Sequence, residues 1–83
     1  MGRLTYKGIG EARFKPQRNI VISEAYNNKN ELLGYSVAEQ LVTKENGEEV
    51  KLFLKGGLGI IDKTGLIELK KAVDDAVEKV LEK

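Results

Sequence analysis

The sequence predicts an α+β fold, in which an antiparallel sheet of four to five strands is followed by one C-terminal α-helix packed on one face. From Thr64 onward, apolar residues alternate at spacings of three and four, which places them along one stripe of a helix. The residues before it form short β-branched runs divided by glycine, proline and asparagine, as in strands and turns. We expect a single domain over residues 1–83, with strands within roughly 3–61 and the helix at roughly 64–82.

The first half of the chain predicts two or three strands. Residues 3–8 and 11–14 form either two strands or one long strand bent at Gly8 and Gly10, because isolated glycines mark bulges. Pro16 has no N–H for a sheet ladder, so residues 15–19 form a turn. The β-branched run 20–26 is the next strand, and the asparagine-rich residues 27–30 are a loop.

Asn46 and Gly47 join the strand at 32–43 to the next β-patterned run and predict a type I′ hairpin turn. This turn determines which residues lie opposite each other: Lys44 and Glu49, Thr43 and Val50, Leu41 and Leu52, and Gln40 and Phe53. One face then carries Tyr35, Val37, Leu41, Val50, Leu52 and Leu54, and we assign that face to the helix. Glu39 falls on the same apolar face, opposite Leu54, where a bulge or the margin of the sheet would accommodate its charge.

The glycine cluster at 56–59 precedes the helix and superficially resembles a phosphate-binding loop. That motif requires glycine directly before its lysine, but Asp62 stands before Lys63 here. We therefore interpret the cluster as a structural turn. Ile60 and Ile61 form a short final strand or a buried turn, and Asp62 or Thr64 caps the helix.

Composition restricts the function. The chain has no histidine and no cysteine, which removes the most common general base, metal ligands and nucleophile. We expect no enzyme activity, no metal and no cofactor; a small enzyme remains the third hypothesis. Without a long apolar run or a signal-peptide core, we expect a cytoplasmic protein that does not enter membranes.

The face opposite the helix is the candidate site, because the hairpin places Phe53 there between Lys51 and Lys55. Single-strand binders use cations along the phosphates and aromatic rings beneath the bases. A basic and aromatic mixture recurs near the N-terminus, and Tyr6 and Tyr26 add ring surface. The candidate nucleic-acid-binding residues are Lys7, Arg13, Phe14, Lys15, Arg18, Lys44, Lys51, Phe53 and Lys55. In the competing interpretation, Phe53 belongs to a second core or a dimer interface, and the lysines keep sheet edges soluble.

The apolar face of the helix is wider than one contact requires. Since a chain of this size buries a thin core, dimerisation through the helix is the available means of stabilisation. The predicted core and dimer residues are Leu66, Leu69, Val73, Ala76, Val77, Val80 and Leu81.

The stretch Lys-Gly-Gly-Leu-Gly-Ile-Ile-Asp-Lys-Thr at residues 55–64, followed by Leu66 and Leu69, resembles the positive cofactor four family of single-stranded DNA-binding transcriptional coactivators. In that family, Lys-Gly-Ile-Ser-Leu-Thr links the last strand to the helix. The family's helix tryptophan is missing here, and extra glycines lengthen the turn. The resemblance implies a curved sheet that faces DNA and a homodimer formed through the helix.

Together these observations predict a non-catalytic, homodimeric module that binds single-stranded DNA or RNA through a basic and aromatic sheet face, in transcription or DNA maintenance. The alternative is a small homodimeric protein–protein interaction module with no affinity for nucleic acid, which the near-neutral net charge of +1 favours.

Overall fold

The computed structural model describes residues 3–54 and 56–83. Within these residues, five strands precede one helix: β1 (Thr5–Lys15), β2 (Arg18–Tyr26), β3 (Leu32–Glu45), β4 (Glu48–Phe53), β5 (Ile60–Ile61) and α1 (Lys63–Leu81). All strand pairs are antiparallel, in the order β1-β2-β3-β4, and β5 joins the β4 side of β3. The predicted α+β fold with one C-terminal helix is confirmed.

Strand β1 is one continuous strand with an irregularity at its glycines, as the second of the two sequence interpretations predicted. Its pairing with β2 shifts between Gly8 and Gly10, which is a β-bulge. Residues 16 and 17 alone connect β1 to β2, so the proline lies in the turn and the ladder keeps its donors. Strand β1 is an outer strand that pairs with β2 along one edge, so its second edge is a free edge of the sheet.

The β3–β4 hairpin has the predicted turn and register. Asn46 and Gly47 have φ of 52° and 82°, the two positive angles that a type I′ turn requires. Every predicted pair is present, from Lys44 opposite Glu49 to Gln40 opposite Phe53. Because side chains alternate between faces, this register determines which side chains lie on each face of β4.

The glycine cluster between β4 and β5 runs along β3 as a structural connection. The Leu54 N–H donates to the Glu39 carbonyl at 2.9 Å, and the Leu58 N–H donates to the Val37 carbonyl at 3.1 Å. At Gly57 the two backbones approach so closely that an added Cβ would collide with the Val37 carbonyl oxygen. Glycine is therefore required at 57 by contact with β3.

Helix α1 begins after Asp62, whose Oδ1 accepts a hydrogen bond of 2.7 Å from the Gly65 N–H. The helix makes its main contact with β3. Leu66 and Leu69 are partly buried there, whereas every residue from Lys70 to the C-terminus is exposed. Only the first two turns are thus held by the sheet. Among the described residues, no helix combines the length and apolarity needed to cross a membrane.

Burial is concentrated on the sheet face opposite the helix. Val37 lies on the helix side, but the other buried apolar residues among those described, Val21, Ala25 and Val42, lie on the opposite face. The helix does lie on the predicted side, but most of the buried residues do not. The sheet curls toward its other face and encloses the small side chains there.

Candidate nucleic-acid interface

The face opposite the helix is a concave surface, which we call the trough. Its floor comes from the central strands β2 and β3 and includes the buried polar residues Asn19, Ser23 and Gln40. Its sides are the outer strands β1 and β4, which are separated by both central strands. Lys51 of β4 nevertheless reaches Glu11 of β1, with 3.3 Å between Nζ and Oε1. Such a contact across the sheet requires the two outer strands to turn toward each other.

Two aromatic rings stand on opposite sides of the trough. Tyr6 rises from β1 and Phe53 from β4, and they are 53% and 62% exposed. Ser23, Ser36 and Ala38 form the floor between them, and the cavity that these five residues line has a volume of about 300 Å³. Phe53 is therefore not part of a second core within this chain. The small floor residues leave both rings accessible to a planar ligand.

Next to the aromatic cavity, a chain of polar contacts crosses the trough. Glu11 Oε1 accepts hydrogen bonds from Asn19 Nδ2 at 2.7 Å and from Lys51 Nζ. Asn19 Oδ1 in turn accepts from Arg13 Nε, and Arg13 Nη2 lies 4.0 Å from Glu49 Oε2. Two cations of the trough are thus already paired with carboxylates. Throughout residues 3–54 and 56–83, no three potential metal ligands converge.

Gln40 lies between Asn19 and Phe53 in the sheet register. Its Oε1 is buried and accepts no hydrogen bond from any described residue. Leaving a buried acceptor unpaired costs about 1–3 kcal/mol. The floor of the trough therefore contains an acceptor that a nearby donor would stabilise.

The structure separates the nine predicted nucleic-acid-binding residues. Four lie on the trough side: Arg13, Lys44, Lys51 and Phe53. Three lie on the helix side: Lys7, Phe14 and Arg18. Lys15 Nζ lies 5.9 Å from the centroid of the Phe14 ring, and Lys55 lies outside the described residues. The N-terminal basic and aromatic mixture is therefore divided between the two faces.

The helix side contains a second concave surface, which we call the groove. It lies between the first half of α1 and the sheet and has a volume of about 920 Å³. Its lining is mainly apolar and includes Phe14, Ile20, Val37, Leu66 and Val73. The helix therefore stands away from part of the apolar sheet face instead of covering it.

Glu39 lies on this apolar face as predicted, and the structure supplies its partner. Arg18 Nη1 lies 2.6 Å from Glu39 Oε2. The two residues are 21 positions apart in the sequence and meet diagonally across β2 and β3. Arg18 is consequently engaged on the groove side.

The predicted helix residues also divide into two groups. Leu66 and Leu69 contribute to the contact with the sheet, and Val73 lines the groove. Beyond them, Ala76, Val77, Val80 and Leu81 are exposed, with Leu81 at 77%. Within one chain, the second half of the apolar stripe is uncovered.

Of the two tyrosines predicted to add ring surface, Tyr6 lies in the trough and Tyr26 does not. The Tyr26 hydroxyl donates to Glu24 Oε1 at 2.9 Å on the helix side. This hydrogen bond, then burial and the charge of Glu24, raise the pKa of Tyr26 above its ordinary value. Tyr26 is therefore held as a neutral donor.

Sequence reasoning missed Glu11 and Asn19 as parts of this surface. The turn at 16–17 pairs Lys15 with Arg18, and an irregularity between Arg13 and Lys15 then places Arg13 opposite Asn19 and Glu11 opposite Val21. Neither this shift nor the contact with Lys51, 40 residues away, was readable from the sequence. Comparisons with protein-family models, curated proteins and solved structures returned no match to this chain.

Proposed function

We propose that this protein is a non-catalytic, homodimeric module that binds single-stranded nucleic acid in the trough and acts in transcription or DNA maintenance in the cytoplasm. The observation that carries this proposal is the pair of exposed rings, Tyr6 and Phe53, on the two sides of a concave, small-residue floor. Bases stack on exposed rings regardless of sequence, and alanine substitution of such rings costs about 1–3 kcal/mol per base. A duplex, whose bases are already stacked and paired, offers no free base for this cavity.

The charges beside the rings support a phosphate backbone running along β4. Lys44 and Lys51 lie on the trough side of the β3–β4 hairpin. Lys44 has no ion-pair partner within 4.0 Å among the residues with described positions. A backbone neutralised by lysines releases bound counterions, so affinity should fall as salt rises.

The surface area supports a dimer. The chain exposes 6807 Å², whereas a monomeric protein of its 9.2 kDa mass exposes about 4,900 Å². Its radius of gyration is 15.0 Å, against about 11.8 Å for a compact chain of this length. The excess surface is larger than the roughly 800 Å² that each partner buries in a standard interface.

The partner we propose is a second copy of this chain, which covers the groove and the outer half of the helix. Val73, Val77 and Val80 continue the apolar stripe of Leu66 and Leu69 past the end of the sheet contact. Pairing two such stripes buries apolar surface on both chains at once. The trough, on the opposite face, remains open in such a dimer.

Titration of a fluorescently labelled oligothymidine tests nucleic-acid binding, with anisotropy measured at low and moderate salt. The proposal predicts saturable binding that weakens steeply with salt. Phe53→Ala should weaken binding about 5- to 150-fold. Leu52→Ala is the matched control, because Leu52 is also largely exposed, at 55%, but lies on the other face of β4.

The charge variants provide a second comparison. Lys51→Glu should lose more affinity at low salt than at high salt, because screening weakens the repulsion it introduces. Lys71→Glu makes the same charge change on the exposed helix and should have a smaller effect. No binding at low salt would refute the nucleic-acid function and leave the protein–protein interaction module. Unaltered binding by both Phe53→Ala and Lys51→Glu would exclude the trough as the site.

A further inference from the structure

The contact between Glu11 and Lys51 occupies the middle of the surface proposed to bind phosphates. One atom, Glu11 Oε1, receives both the 2.7 Å hydrogen bond from Asn19 and the 3.3 Å contact from Lys51. Two donors from different strands therefore converge on one negatively charged oxygen. This is the arrangement by which proteins hold an anion.

The Asn19 donor is fixed in place. The residue is only 2% exposed, and its Oδ1 is occupied by Arg13 Nε. Because the carbonyl oxygen faces Arg13, the amide nitrogen is directed at Glu11 Oε1. Arg13 is itself held by the Pro16 carbonyl at 3.0 Å. The site is thus built from a buried, oriented amide and a half-exposed lysine.

We propose that Glu11 is a built-in competitor for this anion site, and that a backbone phosphate of the bound single strand takes the place of its carboxylate. The proposal rests on the proposed function and adds a regulation of the same site. A phosphate oxygen can accept from Asn19 and Lys51 just as the Glu11 carboxylate does. Binding therefore exchanges one anion for another at Lys51, instead of adding an anion to a free cation.

This exchange divides the trough into two parts. The end with Tyr6 and Phe53 is open, whereas the part beside Asn19 is closed by the Glu11–Lys51 contact. A nucleic-acid strand that occupies only the open end leaves this contact intact. A longer nucleic-acid strand has to break it, so Glu11 weakens the binding of any strand that extends past the open end.

Glu11→Gln tests the proposal, because glutamine keeps an oxygen for Asn19 and removes only the charge. Its affinity for labelled oligothymidine should rise about two- to fivefold, the effect of one half-exposed ion pair. The log–log salt slope should steepen by about 0.7, because the phosphate that Lys51 neutralises then releases its counterion without freeing a Glu11 carboxylate to bind one. Glu48→Gln is the matched control, since it makes the same charge change on the other face of β4. Its affinity and slope should change less.

Lys51→Met supplies the second comparison. In the Lys51→Met background, Glu11→Gln should have little effect on the log–log salt slope, because the lysine that Glu11 would otherwise release is absent. If the wild type binds and Glu11→Gln matches Glu48→Gln, the competitor proposal is overturned while the proposed function stands. If only Glu11→Gln binds, the competitor proposal is supported and the wild-type function is not. If neither binds at low salt, both fail.

Discussion

Gly57→Ala should detach the glycine connection from β3 and destabilise the end of the sheet that holds the helix. The new Cβ would collide with the Val37 carbonyl oxygen and lie 3.2 Å from the Ala38 Cα. Both neighbours are backbone atoms within the central strand β3, so neither can move aside as a flexible side chain would. The connection itself has to move, and with it the Leu58 N–H that donates to Val37.

The size of the effect follows from two contributions. Overpacking by one methyl group in a tightly packed position costs about 1–3 kcal/mol, and losing the Leu58 hydrogen bond costs about 1 kcal/mol. The sum is about 2–4 kcal/mol. For an 83-residue chain the whole free energy of unfolding is about 4–12 kcal/mol, so the loss is a large share of it.

Urea unfolding followed by circular dichroism, at one fixed protein concentration, measures this loss, and amide exchange at Leu58 locates it. Gly8→Ala is the control, because an added Cβ there meets nothing within 4 Å and the backbone needs no positive φ. It should be neutral or slightly stabilising. If Gly57→Ala unfolded at the same urea concentration as the wild type, the close approach to β3 would not contribute to stability and the reasoning would be wrong.

Three further predictions follow from other parts of the structure. Tyr26→Phe should reduce the loss of stability at alkaline pH. The raised pKa of Tyr26 stabilises the fold below pH 10.0, and this stabilisation is lost as the pH rises through the pKa of Tyr26 in the folded protein. Thermal melts between about pH 9 and 12 would measure the difference between the variant and the wild type. Val77→Asp should shift sedimentation equilibrium from dimer to monomer, because Val77 is 48% exposed in one chain and buried only if a second copy covers it; an unchanged dimer would exclude this helix face. Asp62→Ala should cost about 1 kcal/mol in urea unfolding by removing the acceptor of the Gly65 N–H, and no change would show that the cap is dispensable.

Features that depend on neighbouring residues were predictable from the sequence. The two positive φ angles of Asn46 and Gly47 are local preferences, and the register of β3 and β4 follows directly from them. The helix followed from its apolar spacing, and Asp62 was one of the two predicted caps. Phe53 was therefore placed correctly on the face opposite the helix.

The candidate site was only partly predictable, because the N-terminal strand contains a bulge. The shift between Gly8 and Gly10 interrupts the alternation of faces, so Lys7 and Arg13 lie on opposite sides. Arg13, Phe14 and Arg18 were predicted to belong to one surface because they are close in sequence. In the sheet, Arg13 lies on the trough side and the other two lie on the helix side.

The sequence alone determined the elements, their order and one hairpin register, because turns, caps and periodicity are encoded within a few residues of each other. Only the tertiary structure decided that the sheet curls away from the helix, that Glu11 meets Lys51, and that Arg18 neutralises Glu39. These contacts join residues 21 to 40 positions apart. They depend on the twist and bulges accumulated over several strands, which no local pattern specifies.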